Sequence, residues 1–233
     1  MRPFKPSSLI ELNNKQYYYL NDDNPSLGYT TSDVSFVAQP LYNKSTNKKF
    51  NVVAVPLMMT DEWSIMEENP DIIQELRSVE KEYDYMFIGQ CHYMGRQVFR
   101  TLKLDNYYFR ENSKGIFHLR AEDKKVELIK FLKEIAKSKF IFCPRGVGSS
   151  SFRLYQTMMV GSVPIETGMN DYPFDEEVDW DTFCIRGDLS NLYSLIEKSK
   201  NINFEYFRNN GMEFWDKYCR HDEMKKRLEE KYG

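Results

Sequence analysis

No apolar run in this chain approaches the roughly 18–20 residues that a membrane-crossing helix needs. The opening stretch, MRPFKPSSLIELNNKQYYYL, lacks the apolar core of a secretion signal. A cytoplasmic protein, or a soluble domain of a longer one, is the expectation. Cysteine is scarce and scattered: Cys91, Cys143, Cys184 and Cys219 form no C-x-x-C pair. Cys143 and Cys184 fall in apolar, strand-like runs, so buried free thiols are expected rather than a disulfide framework or a redox pair. Histidine is scarcer still, and His92, His118 and His221 stand at no metal-binding spacing, so no metal is expected. Neither sign of charge dominates. Lys and Arg number 32 against 35 Asp and Glu, a net charge of −3, with no strongly basic block. That balance gives no electrostatic drive toward nucleic acid or an anionic membrane.

Two nucleotide-binding fingerprints are absent as well. Gly146-Val147-Gly148 is followed by three serines, not by the Lys-Ser or Lys-Thr of a P-loop. Ser151 stands where a dinucleotide-binding G-x-G-x-x-G would place its last glycine.

What the chain does have is apolar bulk. Hydrophobic residues make up 41% and aromatics 15%, enough to build a core over 233 residues. The first part, to about residue 78, is irregular. QYYYL (16–20), VSFVAQPL (34–41) and FNVVAVPL (50–57) read as strands between turn-rich segments. Residues 61–66 read as a short helix, and Asn69-Pro70-Asp71 starts another.

From Tyr83 a clearer alternation begins. YDYMFIG (83–89), residues 107–109, FIFC (140–143), VPIE (163–166) and TFCIR (182–186) read as short strands. Residues 95–102, 122–137, 149–160 and 189–198 between and after them read as helices. Near-continuous apolar strands alternating with helices predict an α/β fold with a parallel sheet covered on both faces, Rossmann-like by the right-handedness of its crossovers. The last segment, 204 to about 230, places Phe204, Phe207, Gly211, Phe214, Trp215 and Tyr218 at helical spacing. It predicts a long helix packing back on the rest. The expected organisation is an N-terminal lobe over residues 1–80, a Rossmann-like lobe over 81–200 and the C-terminal helix over 201–233.

In such a sheet, ligands bind beyond the carboxyl ends of the strands. The run KFIFCPRGVGSSSFRLYQ (139–156) puts a strand, a small-residue turn and a helix start there. Gly146 and Gly148 permit close approach. The helix start favours an anion through its unpaired N–H groups and dipole. Ser149, Ser150 and Ser151 can cap the helix or donate hydroxyls. Ser149, Arg153 and Gln156, spaced by four and three, share one face. A diphosphate at the turn, held by Arg145 or Arg153, with a sugar hydroxyl at Gln156, fits that stripe. An ordinary capped helix with a solvated arginine fits it too.

The same residues resemble a family. C-P-R-G, then S-x-R, then G-x-V-P, then D-W before a strand matches Cys143, Pro144, Arg145, Gly146, Ser151, Arg153, Gly161, Val163, Pro164, Asp179 and Trp180. The pattern resembles the exostosin-like glycosyltransferases, and Tyr83–Gly89 with Arg96 downstream is similar to that family's opening strand and arginine. The resemblance covers residues 83–186. Gln156 departs from it, since the family carries an acid there.

The resemblance implies a GT-B-like fold and transfer of a sugar from a nucleotide diphosphate donor to a glycan hydroxyl, with inversion. A UDP-sugar such as UDP-xylose is the favoured donor. Cationic side chains and a helix start would stabilise the leaving diphosphate without a metal or other cofactor. Arg145, Arg153 and Arg96 are the expected donor-binding arginines, with Gly146, Ser149, Ser150, Ser151 and Gln156 around them. Inversion needs a general base; Asp33 and Asp61, at strand ends of the N-terminal lobe, are the candidates. Asn170 and Asp171 could touch the donor sugar. Asp179-Trp180-Asp181 resembles a D-x-D metal motif, but it sits on the family's D-W and reads as structural. Two other readings stay open: a catalytically silent nucleotide-sugar or glycan-binding module, and a partner subunit that docks on a larger transferase through its aromatic C-terminal helix.

Overall fold

The structure is a computed structural model. It describes residues 8–12, 15–19, 36–39, 52–54, 56, 60–92, 95–112, 121–145, 150–169 and 172–232; the side chains of 8–54, 60, 61, 121, 122, 225, 228, 229, 231 and 232 fall outside that description.

Nine strands and eight helices are described. Four strands, β1 (Ser8–Leu12), β2 (Lys15–Tyr19), β3 (Phe36–Gln39) and β4 (Val52–Ala54), form one sheet in that order. β1 and β2 are antiparallel; β2, β3 and β4 run parallel. β1 was not expected from the sequence. Its SLIEL is too short to show a decisive period.

α1 (Thr60–Glu68) and α2 (Ile72–Arg77) lead into the second sheet. Its strands are β5 (Tyr83–Gly89), β6 (Tyr107–Glu111), β7 (Ser138–Pro144), β8 (Val163–Thr167) and β9 (Ile185–Gly187), in the order β6-β5-β7-β8-β9. Every pairing is parallel. The helices α3 (Val98–Thr101), α4 (Ala121–Ile135), α5 (Phe152–Met159) and α6 (Leu192–Lys200) connect or follow these strands. The expected α/β, Rossmann-like lobe is therefore present.

The strand residues explain why both faces are covered. Side chains alternate along a strand. Met86 and Ile88 of β5 and Ile141 and Cys143 of β7 join a core with α1, α2, α4 and α5. Tyr85 and Phe87, with Phe140 and Phe142, join the opposite core with α3 and α6. Because successive residues on both faces are apolar, neither face can be left to solvent. Handedness then places the helices. The chain moves from β5 outward to β6 through α3, and back across β5 to β7 through α4. Reversing direction with right-handed crossovers puts α3 and α4 on opposite faces.

The carboxyl-terminal segment is two helices rather than one: α7 (Phe204–Tyr218) and α8 (His221–Tyr232), separated at Cys219-Arg220. α7 packs on α5 and β8. Phe214, Trp215 and Tyr218 are buried in the core. The aromatic stripe is packing, and those three residues are not a docking surface. Arg77 ties α2 to this layer through paired bonds of 2.8 and 3.0 Å to Asp216 and a third to the Met159 carbonyl. Trp63 Nε1 of α1 donates to the Cys219 carbonyl. α1 and α2, numbered before residue 80, thus share a core with the parallel sheet.

Two further boundaries differ from expectation. Residues 180–182 form a 3-10 turn, and the strand begins only at Ile185. Asp179 accepts the Asp181 N–H and Trp180 is buried, so local capping and core packing override β propensity there. Likewise a 3-10 turn over 189–191 precedes α6. All four cysteines are buried and unpaired. Among the described residues, no helix is long and apolar enough to cross a membrane.

Candidate functional site

Strand order fixes where a ligand belongs. The chain leaves β5 in one direction and returns to β7 in the other, so the crevice at their carboxyl ends is the topological switch point. Gly89 ends β5 and Pro144 ends β7. Arg96 and Arg153 lie at that crevice, and Arg145 directly follows β7.

Arg96 lies against it, 8% exposed. Its Nη2 donates to the carbonyls of Pro144 (3.0 Å) and Arg145 (2.5 Å), and its Nη1 to that of Gln90 (3.4 Å). It brackets the exits of the two strands. Arg145 follows β7. Its N–H donates to the Thr167 carbonyl, and its stem lies over Gly168. Gly168 has φ +103°, and a Cβ there would come within 2.9 Å of Arg145 Cδ. Only glycine meets both demands.

Arg153, in the first turn of α5, reaches back to β5. Its guanidinium lies 5.2 Å from the Phe87 ring centroid. Its Nη2 would stand 2.8 Å from a Cβ at Gly89, so β5 must end in glycine to admit it. Nε and Nη1 are shielded from solvent and reach no hydrogen-bond acceptor among the described residues. Burial, reinforced by the Arg96 charge, pushes the Arg153 pKa down to about 10, though Cys143 acts the other way.

The helix behind this turn differs from its sequence-based outline. α5 begins at Phe152, with Ser151 as an extended N-cap that makes no side-chain capping bond. Ser150 is buried. Gly146 and Ser149 lie outside the described residues. Gln156 is not on an open polar stripe: it is 4% exposed, and its Nε2 donates to Glu62 Oε1 at 2.5 Å. The reason is tertiary. Glu62 of α1 covers the side of α5 that periodicity alone assigns to solvent.

Glu62 itself is a residue that sequence reasoning missed. It is 1% exposed, and with Ile65 and Met66 it occupies one face of α1. A carboxylate at i, with apolar residues at i+3 and i+4, was the available signal. Its neighbour Asp61 lies in α1. Asp33, Asn170 and Asp171 lie outside the described residues.

β8 also ends here. Glu166, 2% exposed, accepts the Met169 N–H and the Tyr172 O–H, each at 2.8 Å. Burial raises its carboxyl to about 7, against the opposing effect of those hydrogen bonds and of Arg186 and Arg145. The carboxylates of the D-W-D segment are occupied elsewhere: Asp179 caps the 3-10 turn and Asp181 pairs with Arg186. Among the described residues, no group of three or more His, Cys, Asp or Glu could hold a metal ion.

A cleft of about 570 Å³ opens at the other, amino-terminal ends of β5 and β7, lined by Asp84, Tyr85, Lys139 and Phe140 among others. Lys139 is bonded to Asp84 and Lys200 to Glu197 at its rim. Its charged groups are largely spent on each other, unlike those of Arg153.

The chain matches the family of the Exostosin GT47 domain over residues 29–201, well beyond the stretch that carries the motifs. No curated protein matches it. With the match spanning about three quarters of the sequence, and a parallel α/β lobe beneath it, the chain belongs to the exostosin GT47 family of glycosyltransferases.

Proposed function

We propose that this glycosyltransferase moves a sugar from a nucleotide diphosphate sugar to a hydroxyl of a glycan acceptor, with inversion at the anomeric carbon, and that a UDP-sugar such as UDP-xylose is the donor. The observation that carries the reading is Arg153. A guanidinium with two shielded, unsatisfied nitrogens at the switch point is costly unless an anion completes it. A diphosphate does so, and the planar guanidinium fork suits its oxygens. Arg145 follows β7 with its stem over Gly168, and Arg96 donates to the Pro144 and Arg145 carbonyls at the strand exit. We also assign Gly146, Ser149, Ser150 and Ser151 to donor binding, as the resemblance implies.

In the reaction the acceptor oxygen attacks the anomeric carbon as the bond from that carbon to the diphosphate oxygen breaks. The acceptor proton passes to a carboxylate base, for which Asp33 and Asp61 remain the candidates. The bonding pair leaves with the diphosphate, whose added charge Arg153 and Arg145 meet without a metal. Gln156 alone would present an amide where the family pattern has an acid. Glu62 stands hydrogen-bonded beside it as a buried carboxylate.

A thermal-shift screen of UDP- and GDP-sugars tests the reading. A true donor at a hundredfold excess over its Kd should raise the Tm by about 5–10 °C. A screen in which every sugar nucleotide leaves the Tm unchanged would remove the basis for this function.

Gly89→Ala offers a sharper check. The new Cβ would meet Arg153 Nη2 at 2.8 Å, at the tip of a side chain that can move aside. The fold should survive, while donor affinity falls about tenfold, or about 1.4 kcal/mol. Unchanged affinity, by calorimetric titration, would mean that Arg153's place over Gly89 is irrelevant to binding.

A further inference from the structure

Glu166 has no part in the reaction described above, yet it sits at the rim of the same crevice. It stands in register with Cys143 of β7 and Arg186 of β9. Its two oxygens grip both ends of the following segment, through the Met169 N–H and the Tyr172 O–H. Tyr172 is in turn held in place, its ring 5.0 Å from that of Trp180 and its face 4.6 Å from the Arg186 guanidinium. The turn so gripped, Thr167–Met169, is the one on which Arg145 rests: it accepts the Arg145 N–H and seats the Arg145 stem over Gly168.

We propose that Glu166 is a positioning residue of the donor site, which holds the Arg145-bearing turn in place and takes up a proton when the donor diphosphate binds. This rests on the nucleotide-sugar reading above.

The charges around Glu166 support the coupling. Arg186 of β9 and Arg145 after β7 act on it directly. Tyr172, Cys184 before β9 and Cys143 of β7 feel its charge. α5 brings Arg153, whose charge acts on Cys143, and α7 buries Phe214, Trp215 and Tyr218 on this face. An anion arriving at Arg145 disfavours a second negative charge at Glu166, so its neutral form gains. By linkage, donor affinity must then rise as pH falls through about 7, the value to which burial has lifted this carboxyl. The neutral acid keeps its grip. One oxygen still accepts from Met169, and the O–H turns toward the Tyr172 oxygen. Glutamine reproduces that state, with its amide donating to Tyr172.

Calorimetric titration of the full chain with UDP-xylose, and with a GDP-sugar in parallel, decides the matter between about pH 6 and pH 8.5. Neither probe's diphosphate titrates in this range. Wild type should bind about tenfold more tightly at the acid end, with proton uptake read from the dependence of heat on buffer. Glu166→Gln should be flat with pH at the acid-end affinity. Glu166→Ala should bind weakly throughout, because Met169 and Tyr172 lose their common acceptor. A pH slope that survives in Glu166→Gln overturns the proposal, as does Glu166→Ala binding like wild type; if the alanine variant fails to fold, the glutamine profile decides alone. Wild type that binds neither probe at any pH overturns the donor reading itself, and this inference with it.

Discussion

Arg153→Met is expected to lower kcat/KM for sugar transfer by about a hundred- to a thousandfold, the loss seen when one preorganised donor to a developing anion is removed. The same variant is expected to be more stable than wild type. Burial lowers the Arg153 pKa to about 10. A base depressed in the folded state costs stability wherever both folded and unfolded chains carry the proton. Here that is the whole range below about pH 10, and the penalty fades only as the pH rises above it. The shift corresponds to roughly 3 kcal/mol at neutral pH. Methionine removes that cost and keeps apolar contact with Phe87, but forfeits a cation–π attraction of about 0.5–2 kcal/mol. The net expectation is a gain of about 1–2 kcal/mol by urea denaturation. An arginine present for structure predicts the reverse sign, so stability and activity measured together separate the two roles. A destabilised variant with intact transfer would end the donor-site account of Arg153.

Trp180→Ala carries the largest expected effect on stability. Trp180 is 1% exposed, and its ring meets Tyr172 at 5.0 Å, Phe183 at 5.0 Å and Phe214 at 4.8 Å. Its Nε1 donates to the Pro173 carbonyl. Removing a fully buried indole costs about 3–5 kcal/mol, through lost burial and the cavity left behind. Against a typical domain stability of about 5–15 kcal/mol, that consumes roughly a fifth or more. Trp180→Phe should recover most of the loss, since the aromatic contacts persist and only the Pro173 bond goes. Chemical denaturation of the three proteins gives the comparison. A cost below about 1 kcal/mol for the alanine variant would show that the ring stack contributes little.

The residues of β5 and β7 announced their environment. YDYMFIG and FIFC are apolar at successive positions, which only a sheet covered on both faces accommodates. The amphipathic period of α4 was legible for the same local reason, and Gly161, at φ +68°, marked the end of α5. The arginines of the site could be named, because each stands beside a strand end or a helix start. Their partners could not. Arg96 turns its donors to the Pro144 and Arg145 carbonyls, while Arg153 keeps two nitrogens without an acceptor among the described residues. Nothing in the local spacing distinguishes them.

Gln156 shows most plainly where local pattern stops. Helical period placed it on a polar face with Arg153, but its partner Glu62 lies 94 positions earlier in the chain. Local periods, turn residues and capping preferences act over a few residues; they were enough to specify the five parallel strands and most of the helices between them, but not β1, the 3-10 turn over 180–182 or the break between α7 and α8. Which strands adjoin, which helix covers which face, and so which charged groups share the crevice between β5 and β7, depend on contacts between distant segments. Those contacts form only when both faces of the sheet are buried at once, and no short window of residues contains that condition.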